Sequence, residues 1–154
     1  MGLGADAPRK RARPVPRDAI AALIWNPRTN KYLGLRWNKV DWETYVTGGI
    51  EPGQTAEDAA RAEILQETGY RNLRLIRELP CFNAFFYHHP KKVNSFSIVT
   101  PFLFELIDDE RETVSAQELE KHDVVWLSRN ELQAFRLPEG HRYITDYLLQ
   151  RDEL

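Results

Sequence analysis

Between Thr47 and Tyr70 the chain reads TGGIEPGQTAEDAARAEILQETGY, the stretch that most narrows what it can fold into. A glycine-rich turn leads into a capped helix, and a glycine ends it. Thr55 is a good N-cap residue, with Asp58 three positions on as a variant of the Glu or Gln partner of a capping box. The segment Ala56 to Thr68 is dominated by Ala, Glu, Leu and Gln, which favour helix. Gly69 suits the left-handed position just past a helix end. Within this helix Glu63 and Glu67 are four residues apart and share a face, with Gln66 beside them. Two glutamates on an Ala-rich helix would ordinarily form a solvated face, where like charges at this spacing are mildly destabilising. A cation between them turns that repulsion into binding, and Mg²⁺ prefers oxygen ligands of this kind.

The glycines and glutamates also keep a fixed spacing. Gly48, Glu63, Ile64, Glu67 and Gly69 stand where the Nudix box has its first glycine, a helix glutamate, an aliphatic residue, a second glutamate and the closing glycine. The stretch therefore resembles that signature of hydrolases acting on nucleoside diphosphates linked to another group. Three polar positions differ: Gln54 replaces the first Glu, Ala62 the Arg, and Gln66 the first Glu of the pair, while Tyr70 is apolar but not aliphatic. The resemblance implies a loop, helix and loop holding Mg²⁺ or Mn²⁺ on the diphosphate, with Glu63 and Glu67 as metal ligands. It also implies that Gln66 ligates through its amide oxygen without adding charge, and that the backbone carbonyl around Gly48 reaches the ion. Ala62 removes a guanidinium that would orient the glutamates. Arg61 is a poor replacement, because one residue turns a helical side chain by about 100°.

Composition restricts the setting. At 154 residues one domain with a real core is expected, and 42% hydrophobic and 29% charged residues describe an ordinary globular chain. The lone Cys81 excludes an intramolecular disulfide and a cysteine-cluster zinc site. No apolar run approaches the roughly 18 residues that would span a membrane, and the first residues lack the apolar core of a secretory signal. A cytoplasmic protein is the expectation. Residues 1–17 carry Arg9, Lys10, Arg11, Arg13 and Arg17 against Asp6, a balance of +4 that leaves −6 for the rest. Residues 1–16 read as a basic, Pro-containing arm and 17–154 as the folded domain. Such an arm could touch nucleic acid, but a solubilising tail is the favoured reading.

Along the chain, AIAALIW before Asn26 is continuously apolar, as in a strand buried on both faces. Strands are also expected over Lys31–Trp37, Trp42–Thr47, Leu73–Leu79, Phe82–His88, Ser95–Leu106 and Val124–Leu127, with Pro101 arguing for a bulge or an edge. Ser115 with Glu118, and Ser128 with Glu131, both carry the Ser-x-x-Glu capping signature and open short helices. A last helix over about His141–Gln150 presents Ile144, Tyr147 and Leu148 inward. This order predicts an α/β fold, a sandwich with a mixed sheet between helical layers. The α/β/α arrangement of the Nudix family is similar, and the resemblance then runs from about Arg17 to the end.

Further site residues follow from the resemblance and from residue chemistry. Family members often place the catalytic base on a loop ahead of a late strand, where Glu118, Glu120 and Asp123 stand here, with Glu120 preferred. His122 reads as a surface histidine. For a small nucleotide-like substrate, Arg36 and Lys92 could meet phosphate oxygens, and Trp42 and Tyr45 could stack on a base. The activity implied is metal-dependent hydrolysis of a diphosphate bond, in a homodimer as in many relatives. The rival is a Nudix-fold module that has lost catalysis and binds a nucleotide, an RNA end or a protein. An isopentenyl-diphosphate isomerase shares the fold but finds no matching motif around Cys81.

Overall fold

A computed structural model describes residues 14–39, 42–88 and 93–154. Strand β1 (Pro14–Asn26) and strand β7 (Val93–Leu106) run parallel at the centre of an eight-stranded mixed sheet. Around them β2 (Lys31–Trp37), β3 (Glu43–Thr44), β4 (Val46–Gly49), β5 (Leu73–Glu78), β6 (Phe82–His88) and β8 (His122–Leu127) pair antiparallel. The sheet begins inside the segment read as an arm, since Pro14 already pairs with Asn94. Residues 1–13 lie outside the described residues.

The apolar run in β1 is buried on both faces, with Ile20 to Ile24 fully inaccessible. Alternation then sorts side chains into two cores. Ile20, Ala22, Ile24, Leu33, Leu35, Val46, Phe102 and Phe104 face helix α1 (Ala56–Thr68), which contributes Ala59, Ala60 and Ile64. Ala21, Leu23, Tyr32, Tyr45, Val99 and Leu103 face the other way, toward α3 (Arg129–Ala134) and α4 (Glu139–Gln150) with Leu132, Ile144 and Leu148. One helical layer on each side makes the expected α/β/α sandwich.

Pro101 lies in a central strand rather than at an edge, and its position explains how. The Pro101 carbonyl accepts from Leu79 N at 2.9 Å, so the missing N–H faces the same side, away from β1. That side is where β7 exchanges one neighbour for another, β6 ending at Phe82↔Val99 and β5 at Glu78↔Phe102. The expected irregularity is in β5 instead, where the register shifts between Leu75 and Arg77.

The polar residues of the second core are satisfied. Tyr45 N donates to His141 Nδ1 at 3.1 Å, and the Tyr45 hydroxyl bonds Thr145 Oγ1. Burial lowers the His141 pKa to about 4, consistent with a neutral ring accepting at Nδ1. Tyr45 is fully buried under α4, so it packs the core and presents no face to a base; here the expectation of a stacking residue is corrected.

Candidate metal centre

The helix α1 forms as its sequence predicts. Thr55 Oγ1 accepts from Asp58 N at 3.1 Å, and Gly69, at φ 82°, donates to Leu65 O at 2.9 Å. Before it, Glu51-Pro52-Gly53-Gln54 forms a turn closed by Gln54 N to Glu51 O at 3.1 Å, with Gly53 at φ 85°. The Gln54 side chain is spent locally, accepting from Glu51 N at 2.9 Å.

The inward stripe of α1 runs through Ala60 and Ile64 to Glu67, which brings a carboxylate into the core edge. Glu67 is only 8% exposed, and its Oε2 has no hydrogen-bond partner among the described residues. Burial, then repulsion from Glu63 and Glu118, raises its pKa to about 9, with Lys121 offsetting a little. Glu63, half-buried one turn earlier, is also raised, by burial first and by Glu118 and Glu51, while Arg17 acts in the opposite sense. Gly48 in β4 lies directly against it: a Cβ there would meet Glu63 Cγ at 2.5 Å and Oε1 at 2.6 Å. Gly49 stands in the same way beneath the Arg17 guanidinium, so a cation from β1 approaches the cluster from the sheet side.

A third carboxylate arrives from outside the helix. Helix α2 (Ala116–Lys121) is capped by Ser115, whose Oγ accepts from Glu118 N at 3.2 Å. The Glu118 side chain does not return to Ser115 as a capping box would have it. It is 7% exposed and accepts from Gln66 Nε2 at 3.0 Å, with Lys121 Nζ 3.6 Å and His122 Nδ1 4.0 Å away. His122, expected on the surface, is 4% exposed: Nε2 bonds the Glu67 carbonyl at 2.9 Å and the ring stacks at a tilt on Trp37. Its pairing opposite Trp37 in the β2–β8 ladder turns it inward, which a single sequence does not reveal.

The other expected residues fall elsewhere. Glu120 is exposed. Two residues past Glu118 on one helix, it is turned about 200° away from it. Arg36 is exposed on the α3 side, where its Nε donates to Glu43 Oε2 at 3.1 Å and its guanidinium lies 6.0 Å from the Phe135 ring. The buried Glu43 also accepts from Arg136 N at 2.9 Å; burial raises its pKa, but these hydrogen bonds outweigh it and hold it low. Arg36 is therefore tied to a structural carboxylate on the face opposite α1. Trp42 is 42% exposed and free to present its ring. Lys92 lies outside the described residues. Arg61 points away from the cluster, donating to Glu57 Oε2 and Leu73 O and covering Phe104, while Ala62 is exposed. A cavity of about 390 Å³ lined by Trp25, Tyr32, Arg77, Leu103, Glu153 and Leu154 includes none of Glu63, Glu67 and Glu118.

These groups fit a hard divalent cation. The donors are carboxylate oxygens, one of them buried and unsatisfied, which is costly unless a cation or proton compensates. Among the described residues no group of three or more His, Cys, Asp or Glu side chains is placed to hold a metal ion between them. Mg²⁺ does not need one, since it keeps several waters and takes one or two carboxylates. Gly48→Ala tests the close approach of sheet and helix. The new methyl displaces the Glu63 carboxylate, so Mn²⁺ affinity should fall about 10- to 100-fold with the fold retained, measured by titration calorimetry beside a melting curve.

The fold is shared with known proteins. No curated protein matches the chain in sequence. Among solved structures, the E. coli dihydroneopterin triphosphate pyrophosphohydrolase superposes with a TM-score of 0.65 at 21% identity, covering 89% of this chain and 99% of that one. The MutT protein from Methanosarcina mazei Go1 gives 0.66 at 15% identity, over 92% and 98%. The C. elegans Ap4A hydrolase gives 0.60 at 15%, over 90% and 97%. These likenesses show a shared fold. The NUDIX domain family model matches residues 15–148, nearly the whole described chain, and with the signature helix and sandwich already in place, the chain belongs to the Nudix family.

Proposed function

We propose that this chain is a metal-dependent hydrolase of a diphosphate bond in a nucleoside-diphosphate-linked substrate. The observation that carries the proposal is Glu67 Oε2, buried beside Glu63 and Glu118 and without a hydrogen-bond partner among the described residues. A helix edge that keeps such a carboxylate loses stability unless the group is used. Mg²⁺ or Mn²⁺, when bound, supplies neutralisation of phosphate charge and polarisation of phosphorus. Glu63 and Glu67 hold the ion from α1. Glu118 faces them from α2, restores the negative charge missing at Gln66, and takes the role of outside carboxylate that the sequence suggested for Glu120. Arg17, over Gly49, supplies a guanidinium at the rim where a phosphate oxygen would lie. Water is the nucleophile, and Trp42 is the exposed aromatic available to a base. The activities of the structural neighbours, on dihydroneopterin triphosphate and on Ap4A, support phosphoanhydride chemistry without naming the substrate here.

The test is a hydrolysis screen with Mg²⁺ and with Mn²⁺ over nucleoside triphosphates, dinucleoside polyphosphates, ADP-ribose, nucleotide sugars and 5′-triphosphate RNA. Metal-dependent turnover that falls at least 100-fold in Glu67→Gln and in Glu118→Gln is the expected result. Turnover unaffected by either substitution would overturn the assignment. A folded protein with no turnover, stabilised by a nucleotide without metal, would point to the binding module instead.

A further inference from the structure

We propose that Gln66 is a positioning residue rather than a metal ligand: its amide nitrogen holds Glu118 in the carboxylate cluster, moving the third acid of the site from α1 to α2. This rests on the metal-dependent reading above. The contact itself is direct, Gln66 Nε2 donating to Glu118 Oε1 at 3.0 Å across 52 positions of sequence. An ionised carboxylate accepts and never donates, so an amide beside it must present its nitrogen. Gln66 then cannot turn its oxygen to an ion on the Glu118 side without breaking this bond.

Charge explains why a glutamine suits position 66 beside Glu118. A glutamate at 66 would put a second carboxylate about 3 Å from Glu118, next to Glu63 and Glu67, and like charges that close repel strongly in a partly buried site. With glutamine there, the same position becomes a donor, and a fourth acid is avoided. The Ser115 cap leaves Glu118 available for this role. The otherwise identical signature at Ser128 closes fully, Glu131 Oε1 accepting from Ser128 N at 2.9 Å, whereas the Glu118 carboxylate has left its cap for Gln66. Lys121 Nζ lies 3.6 Å from the same Oε1 that Gln66 bonds, and His122 Nδ1 lies 4.0 Å from Oε2.

A double-mutant cycle on the full chain, read by Mn²⁺ affinity, distinguishes positioning from ligation. Gln66→Ala should weaken Mn²⁺ binding about 10- to 100-fold, the range seen when an outer partner of a ligand is removed. In a Glu118→Ala background the same change should alter affinity less than about threefold, because the group it positions is already gone. Equal losses in both backgrounds would overturn the proposal, since a ligand acts whether or not Glu118 is present. A second readout needs no metal: the Gln66 side-chain amide resonance in the ion-free protein should move on Glu118→Ala and stay in place on Gln117→Ala. No movement would likewise overturn it. Should the amide respond as expected while the wild-type protein binds no Mn²⁺, the metal reading fails while the Gln66–Glu118 contact stands, so the two failures are told apart.

Discussion

Glu67→Gln is expected to stabilise the ion-free protein while abolishing its metal binding. The carboxyl keeps its proton in the folded chain up to about pH 9, against 4.5 for the group in its ordinary surroundings. Folded protein thus holds a proton that unfolded protein releases throughout that window, so stability falls as pH rises from 4.5 towards 9. Every tenfold difference in proton affinity between the two states is worth about 1.4 kcal/mol, which makes the loss by pH 8 several kcal/mol. Glutamine is neutral at every pH and escapes it. For a chain of this length roughly 2–4 °C of melting temperature accompanies each kcal/mol, so at pH 8 the substitution should raise the melting temperature by roughly 10–20 °C. Near pH 4 both side chains are neutral and the gain should vanish. Melting curves in EDTA across this range, beside Mn²⁺ titrations in which the mutant loses at least 100-fold affinity, check both halves. A gain over the wild type no larger at pH 8 than at pH 4 would mean that Glu67 is not held protonated. Binding of Mg²⁺ replaces the same proton, so affinity should rise with pH until about 9.

Gly69→Ala should be the most damaging of the glycine substitutions to the fold. Gly69 lies at φ 82°, where an L side chain costs about 1 kcal/mol, and a Cβ there would collide with the Glu112 carbonyl oxygen. That oxygen is backbone and cannot rotate aside. The loop is fastened at this point by Glu112 N to Gly69 O at 2.8 Å and Arg111 Nε to Thr68 O at 2.9 Å, so moving it disturbs the end of α1. A loss of about 3 kcal/mol is expected, lowering the melting temperature by roughly 6–12 °C. Gly53 provides the comparison. It has nearly the same angle, φ 85°, but nothing lies within 4 Å of its added Cβ. Gly53→Ala should therefore show the backbone penalty alone, about 1 kcal/mol. Equal effects at the two positions would mean that the Glu112 contact contributes nothing.

The difference between these glycines also separates what is local from what is not. Thr55, the helix Ala56–Thr68 and the Gly69 stop were legible because each rests on contacts within a few residues. The buried strand in β1 was legible from its unbroken apolar run. Strand β2 and the last helix followed from periodicity in the same way, although α4 buries His141 and Thr145 beside the expected Ile144 and Leu148. Spacing alone placed Glu63 and Glu67 on one face. That Glu67 continues the buried stripe of Ala60 and Ile64 came only with the structure, since two glutamates on such a helix would ordinarily be solvated.

Burial decided the rest, and burial depends on neighbours far away in sequence. Tyr45 and Trp42 are both aromatic residues ahead of the helix, yet one is locked beneath α4 by Thr145 and His141 and the other is open to solvent. Arg36 is claimed by Glu43 on the opposite face of the sheet. In α2 hydrophobicity gives the wrong inward residue, since Leu119 is 61% exposed and Glu118 is 7%. The two Ser-x-x-Glu signatures show the division most plainly. From sequence they are the same local motif and each predicts a helix start, which each supplies. Local chemistry determined that Ser115 and Ser128 would cap helices. Only the tertiary structure decided that Glu131 closes its box while Glu118 leaves its own, because only there does the donor of Gln66, held on α1, stand within hydrogen-bond reach.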